Sequence, residues 1–420
     1  MEHNPAVELF LAIGLIVVAS RIGGTIARRF RQPRVLGELI IGVILGPTLL
    51  DLLHQPVFHG IELQETIKLF AELGVLLLMF IVGLEVNMGE LAKVGRVGVI
   101  SGFAGALAPV LLTIPLVLLF QYAWQPALFA GVTLAATSVS ISAQVMLELG
   151  VLRTKVGNAL LATALIDDIV AILLVSLTVA VTSSTEASSS ADLGSLVAIV
   201  ATMALYLVGA FLLAWFVLPR VMNWLANRPS LAQSYGIPAF ALITLLVFGW
   251  SAEELGGMAA ITGAFLAGMG FSRSKERVRH EIETAISGIA YTFLVPIFFV
   301  DVGLQIDLSA FPLTALPLAL LLLVVAVASK IGGCGLGGRL GGFDTADSLR
   351  LGVCMISRGE VGLIIAALGI GVGVFSADDP LFSSLFLVIL ISTLITPPLV
   401  RAIFKGEQTH EISRADHRAG

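Results

Sequence analysis

Thirteen times along this chain, about twenty apolar residues run on almost without charge, and this recurrence constrains the fold more than any single motif. A helix rises about 1.5 Å per residue, so such a run just crosses the ~30 Å hydrocarbon core of a bilayer. The runs lie near 6–27, 35–52, 66–84, 98–120, 126–149, 157–182, 194–218, 234–251, 257–271, 285–304, 313–337, 349–372 and 381–404. Only 13% of residues are charged against 57% apolar, and a globule in water could not cover that much apolar surface. The composition excludes a disordered chain, a nucleic-acid binder and an ordinary soluble enzyme. An all-α polytopic membrane protein with thirteen transmembrane helices, in contact with lipid, is expected. Cys334 and Cys354 lie in apolar or glycine-rich runs and read as packing residues.

The basic residues alternate along the chain. Arg28, Arg29, Arg31 and Arg34 follow the first run, Lys93 and Arg96 the third, Arg153 and Lys155 the fifth. Arg220 and Arg228, then Arg273, Lys275, Arg277 and Arg279, follow the seventh and ninth. Arg339 and Arg350 flank the eleventh connection, and Arg401, Lys405, Arg414 and Arg418 come last. The other connections hold essentially none, with Lys68 the exception. Positive charge marks the cytoplasmic side, so the N-terminus is expected outside and the C-terminal tail, 407–420, inside. The start, with Glu2 and no basic stretch ahead of the apolar run, does not read as a signal peptide.

Two segments recur. LLLMFIVGLEVNM (76–88) is similar to PIFFVDVGLQIDL (296–308), and ATSVSISAQVMLELG (136–150) to MISRGEVGLIIAALG (355–369). Gly83 pairs with Gly303 and Ser138 with Ser357, at offsets of 220 and 219 residues. Seven runs separate each pair, so the copies cross in opposite senses, the pattern of inverted-repeat transporters. Runs 1–6 and 8–13 become the repeats, with run 7 linking them. Such folds bind cargo near the midplane where helices break. The expected breaks are Thr137-Ser138 and Ser357-Arg358-Gly359-Glu360.

Ionisable residues at bilayer depth are costly and mark function. Asp167 and Asp168 in ALIDDIVAI lie about 15 Å into their run, near midplane. Neighbours on a helix point about 100° apart, so one carboxylate can meet a positive partner while the other faces water and exchanges a proton for a cation. Lys330 lies at similar depth and is the natural partner. Arg358 and Glu360 read as scaffolding that pairs mutually or with the broken helix ends. Glu38 and Asp301 are accessory candidates near the ends of their runs, with plain solvation at the outer end as the alternative for Asp301. Glu85 and Glu148 fall at cytoplasmic helix ends, and His54 and His59 in an outer connection.

LGELIIGVILGP (36–47), LGVLLLMFIVGLE (73–85), ATSVSISAQVMLELGVL (136–152), ALIDDIVAI, Lys330 and SRGEVGLI (357–364) resemble the NapA-type sodium/proton antiporters, of the second branch of the monovalent cation-proton antiporter superfamily. The resemblance covers nearly the whole chain. It implies an NhaA-like fold of two inverted six-helix repeats with two broken crossing helices. It also implies a homodimer, with a dimer domain from 1–92 and 231–308, a mobile core from 93–183 and 309–406, and a linker helix in 184–230. By the same resemblance Asp168 is the main sodium and proton carrier, Asp167 binds the ion or pairs with Lys330, and Thr137 and Ser138 mark a crossing. No cofactor is implied beyond the transported ions. Potassium efflux systems share parts of these motifs but usually carry a nucleotide-binding domain after the membrane part, for which the tail after 406 leaves no room.

The expected activity is exchange of cytoplasmic sodium or lithium for external protons in a bacterial inner membrane, serving pH homeostasis. A potassium/proton antiporter of the same fold is the first alternative. An intramembrane aspartyl protease is a remote one, because its carboxylate dyad usually comes from two helices and here both acids share one. A channel fits inverted repeats and paired midplane charges less well than a carrier.

Overall fold

The computed structural model describes residues 5–55, 58, 61–86, 93–183, 193–228, 235–305, 311–376 and 379–419. Their long elements are all helical. In chain order these are α1 (Pro5–Arg29), α2 (Arg34–Leu45), α3 (Ile61–Glu85), α4 (Gly95–Leu119), α5 (Trp124–Ala135), α6 (Val139–Glu148) and α7 (Lys155–Ser183). There follow α8 (Leu193–Leu212), α9 (Leu218–Ala226), α10 (Gly236–Glu254), α11 (Ala260–Phe271), α12 (Glu276–Ile289) and α13 (Val295–Leu304). The last four are α14 (Leu316–Gly341), α15 (Thr345–Cys354), α16 (Glu360–Gly371) and α17 (Pro380–Ala419). A π turn joins α8 to α9 at Leu213–Val217, and a second joins α12 to α13 at Ala290–Leu294.

Among the described residues, ten helical stretches are long and apolar enough to cross a bilayer. Three of the thirteen expected runs differ. The run at 35–52 is helical only over Arg34–Leu45, and that at 257–271 only over Ala260–Phe271, 12 residues each. Twelve residues reach about 18 Å, short of a full crossing. The run at 349–372 is two helices with a non-helical stretch, 355–359, between them. Large apolar side chains such as Phe10, Leu205 and Val324 stand exposed. Outward-facing apolar side chains on helices of this composition belong in lipid, and the chain is a multi-pass membrane protein.

The chain divides into two units, Met1–Met88 with Ala201–Ser309, and Gly89–Val200 with Ala310–Gly420. In the first, helices meet backbone to backbone at glycines. A Cβ at Gly83 of α3 would lie 2.3 Å from the Phe265 carbonyl oxygen of α11. One at Gly303 of α13 would lie 2.5 Å from the Gly42 Cα of α2. Glu38 is buried in this unit, accepting from Arg34 Nε at 2.7 Å and Ser20 Oγ at 3.1 Å. Asp301 is also buried there and accepts from Gln305 Nε2 at 2.7 Å, which removes the solvated alternative for it. A buried carboxylate needs such donors.

In the second unit, α14 packs along α4. Gly333, Gly337 and Gly341 recur every fourth residue on α14, and Cβ atoms there would meet Ala104 O at 2.6 Å, Ser101 Cα at 2.5 Å and Val97 Cα at 2.7 Å. Lipid gives apolar helices no reason to associate, so close packing of small residues supplies the attraction. Ser101 Oγ adds a hydrogen bond to the Cys334 carbonyl at 3.1 Å. Gly337→Leu is expected to separate these helices and abolish the monodisperse peak in size-exclusion chromatography, whereas Leu336→Ala, on an exposed face, is expected to leave it intact. Between helices, Asp344 caps α15 by accepting from the Asp347 N–H at 2.8 Å, which holds its carboxyl below the usual range. Tyr122 donates to Asp379 at 3.2 Å, and burial together with that carboxylate pushes its hydroxyl up to about 12.

Candidate functional site

All residues of the expected ion site except Glu38 and Asp301 lie in the second unit. Helix α5 stops at Ala135 because Ala136 and Ser138 are extended, and α6 resumes at Val139. Helix α15 stops at Cys354, and α16 resumes at Glu360. The two interruptions are tied together: the Ser138 N–H donates to the Ser357 carbonyl at 3.0 Å. Gly359 makes this approach possible, since a Cβ there would fall 2.6 Å from Ser138 Cβ.

Each broken end leaves backbone groups without helical partners, which must be met inside the protein. Arg358, fully buried, meets two of them, together with a carbonyl inside α14. Its guanidinium donates to the carbonyls of Met355 (3.4 Å), Ile356 (2.9 Å) and Ala326 (3.1 Å). Thr393 Oγ1 donates to the Arg358 carbonyl, and Ser142 Oγ to that of Cys354. Thr137 Oγ1 donates to Ala135 O at 3.4 Å, and Ser138 and Ser140 share a hydroxyl hydrogen bond at 3.0 Å. The Ser357 hydroxyl is buried without a partner. The side chain of Glu360 lies outside the described part of the structure, as does His59.

Asp167 and Asp168 are on α7 and differ in surroundings. Asp167 is 1% exposed, and its Oδ1 accepts from Lys330 Nζ at 2.8 Å, with Lys330 wholly buried on α14. Asp168, one residue on, is only partly buried. Desolvating two charges is costly, and the 2.8 Å contact offsets part of that cost. The arrangement joins a locked carboxylate to a more accessible one, in the unit that holds both interruptions. A carboxylate offers hard oxygen atoms that can take either a cation or a proton.

Sequence reasoning missed the packing that encloses this pair. A Cβ at Gly105 of α4 would meet Cys334 Sγ at 2.2 Å and Asp167 Oδ1 at 3.9 Å, so α4 presses bare backbone against the ion pair. The glycine spacing on α14 was a readable signal for that seam.

The chain matches the family described as sodium/hydrogen exchanger, transmembrane, over residues 15–406. It is 33% identical over 397 residues to the Na(+)/H(+)-K(+) antiporter GerN of Bacillus cereus, covering 94% of this chain and 96% of that one. It is 35% identical over 394 residues to a Na(+)/H(+) antiporter of Enterococcus hirae, covering 93% and 97%. The sodium proton antiporter MjNhaP1 of Methanocaldococcus jannaschii shares the fold, with a TM-score of 0.67 at 17% identity over 96% of this chain and 98% of that one. These relatives are named as antiporters and not as enzymes, and the protease reading of the aspartates falls with that. A match across nearly the whole membrane part, with relatives a third identical end to end, places the chain in the transmembrane sodium/hydrogen exchanger family.

Proposed function

We propose that the protein exchanges cytoplasmic sodium or lithium for external protons, with Asp168 as the exchanging carboxylate. The observation that carries this reading is the buried Lys330–Asp167 pair beside the more accessible Asp168, in one unit with both helix interruptions. A cation and a proton compete for Asp168. Occupied by either, the site is neutral enough to pass the dry barrier; bare, it is held back by the cost of moving a charge through hydrocarbon. Asp167 joins the ion when Lys330 releases it, and a proton leaving Lys330 then makes two protons per cation and an electrogenic cycle. Thr137, Ser138, Ser357, Arg358 and Glu360 form the crossing, and Glu38 and Asp301 are buried supports of the first unit.

The fold we infer is thirteen helices in two inverted repeats. In its support, the α3–α11 contact at Gly83 has its counterpart in the α13–α2 contact at Gly303, the same glycines that pair in the sequence. The Ser138–Ser357 bond likewise joins equivalent positions. Transport is by an elevator-type movement of the unit that carries the site, and the other unit supplies a homodimer contact through 1–92 and 231–308, with 184–230 as linker. The protein lies in a bacterial inner membrane with its N-terminus outside, an orientation the alternating basic connections support.

The test is proton flux in proteoliposomes holding a pH dye, with sodium, lithium and potassium added in parallel. Alkalinisation or acidification driven by sodium and lithium is expected, its rate changing with an imposed membrane potential. No response to any cation overturns antiport. Potassium as the best substrate favours the second reading, a potassium/proton antiporter, which the potassium in the name of the Bacillus cereus relative supports.

A further inference from the structure

A threonine inside a helix can return its hydroxyl to the carbonyl one turn earlier. On α7, Thr178 does so to Leu174 at 2.7 Å and Thr182 to Thr178 at 2.8 Å. Thr163, on the same helix, does not. It is wholly buried and its Oγ1 has no partner. Four residues on, Asp167 accepts from Lys330 at Oδ1 and keeps Oδ2 buried with no partner.

These two atoms are a donor and an acceptor on one helix face. Residues at i and i+4 stand about 5–6 Å apart at Cβ. Side chains on a helix lean toward its N-terminus, so the Asp167 carboxylate tilts over the turn that bears Thr163. Thr in a helix has two accessible χ1 rotamers, one of which gives up the bond to its own backbone. The wall opposite is bare: a Cβ at Gly102 of α4 would lie 3.0 Å from the Thr163 carbonyl oxygen, and Gly105 faces Asp167 one turn on. A buried unpaired donor and a buried unpaired carboxylate oxygen each cost free energy, and pairing them removes both costs.

We propose that the Thr163 hydroxyl is the positioning donor of Asp167, taking the carboxylate oxygen that Lys330 does not hold and keeping the group in place when Lys330 lets go and a cation arrives. This rests on the antiport reading. Lys330 and Thr163 are then alternative anchors for one carboxylate. Lys330 holds it in the empty site and Thr163 in the loaded one.

The experiment compares Thr163→Val, Thr163→Ala and Thr163→Ser with the unaltered protein in sodium-loaded proteoliposomes at one pH. Valine keeps the shape and loses the hydroxyl, alanine loses both, and serine keeps the hydroxyl. Val and Ala are expected to raise the apparent KM for sodium about tenfold, the size of one hydrogen bond to a charged group, with little change in maximal rate. Ser is expected to restore the KM. An unchanged KM in Val, or a KM in Ser raised as far as in Val, overturns the inference, the second because it makes the residue a packing element. The unaltered protein in the same vesicles tests the antiport reading separately. No flux there overturns that reading, whereas normal flux with an unaffected Val variant overturns only the role of Thr163.

Discussion

Asp168→Asn is expected to reduce cation-driven proton flux to that of empty vesicles while the protein still folds. Asparagine keeps the shape of aspartate, so packing around a partly buried position changes little. It removes the one property the proposed cycle needs, a negative charge that either a cation or a proton can neutralise. The variant site is permanently neutral, so it has no reason to choose between cargoes and no proton to hand back. Size-exclusion profile and thermal unfolding should match the unaltered protein, which separates loss of chemistry from loss of structure. Full exchange activity in Asp168→Asn would sink the assignment of this residue, though not the family membership.

Lys330→Ala should have the largest effect on stability. Asp167 is 1% exposed and its second oxygen has no donor in the structure, so deleting the ammonium leaves a buried carboxylate beside a cavity, with only the neutral Thr163 hydroxyl proposed above to meet its charge. Removing one member of a buried pair typically costs about 3–5 kcal/mol, most of it the stranded charge. Lowered thermal stability in detergent is therefore expected. The double variant Asp167→Asn/Lys330→Met should recover most of it, because neither remaining side chain is charged and methionine fills much of the lysine volume. A Lys330→Ala protein as stable as the unaltered one would show that the pair is not held as the structure has it. Transport by the double variant is expected to lose its dependence on membrane potential, if the lysine proton is the second one moved.

Much of this was legible along the chain. Partition between lipid and water acts on each segment nearly independently, so run length and basic residues alone announced a polytopic membrane protein. The pair Asp167-Asp168 announced itself for the same reason, since a charge surrounded by apolar sequence has no local explanation. Depth along two helices also brought Lys330 level with the pair, but depth carries no azimuth, and it could not say which carboxylate the lysine meets. The run at 35–52 shows the converse limit. Its composition suits a full crossing, yet the helix ends at Leu45, where Gly46 and Pro47 turn the chain. Hydropathy measures where a segment is content to be, not where its backbone stops being helical.

The sequence by itself therefore determined the solvent this protein lives in, the order of its helices and the presence of acids that need an explanation. The tertiary structure decided which atoms explain them: Lys330 on Asp167, the Ser138 amide on Ser357, Arg358 on three carbonyls, and bare glycine backbone of α4 over the pair. The reason is one of range. Transfer between oil and water is summed residue by residue, whereas a hydrogen bond exists only within about 3 Å, and no pattern along the chain sets that distance for residues more than a hundred positions apart.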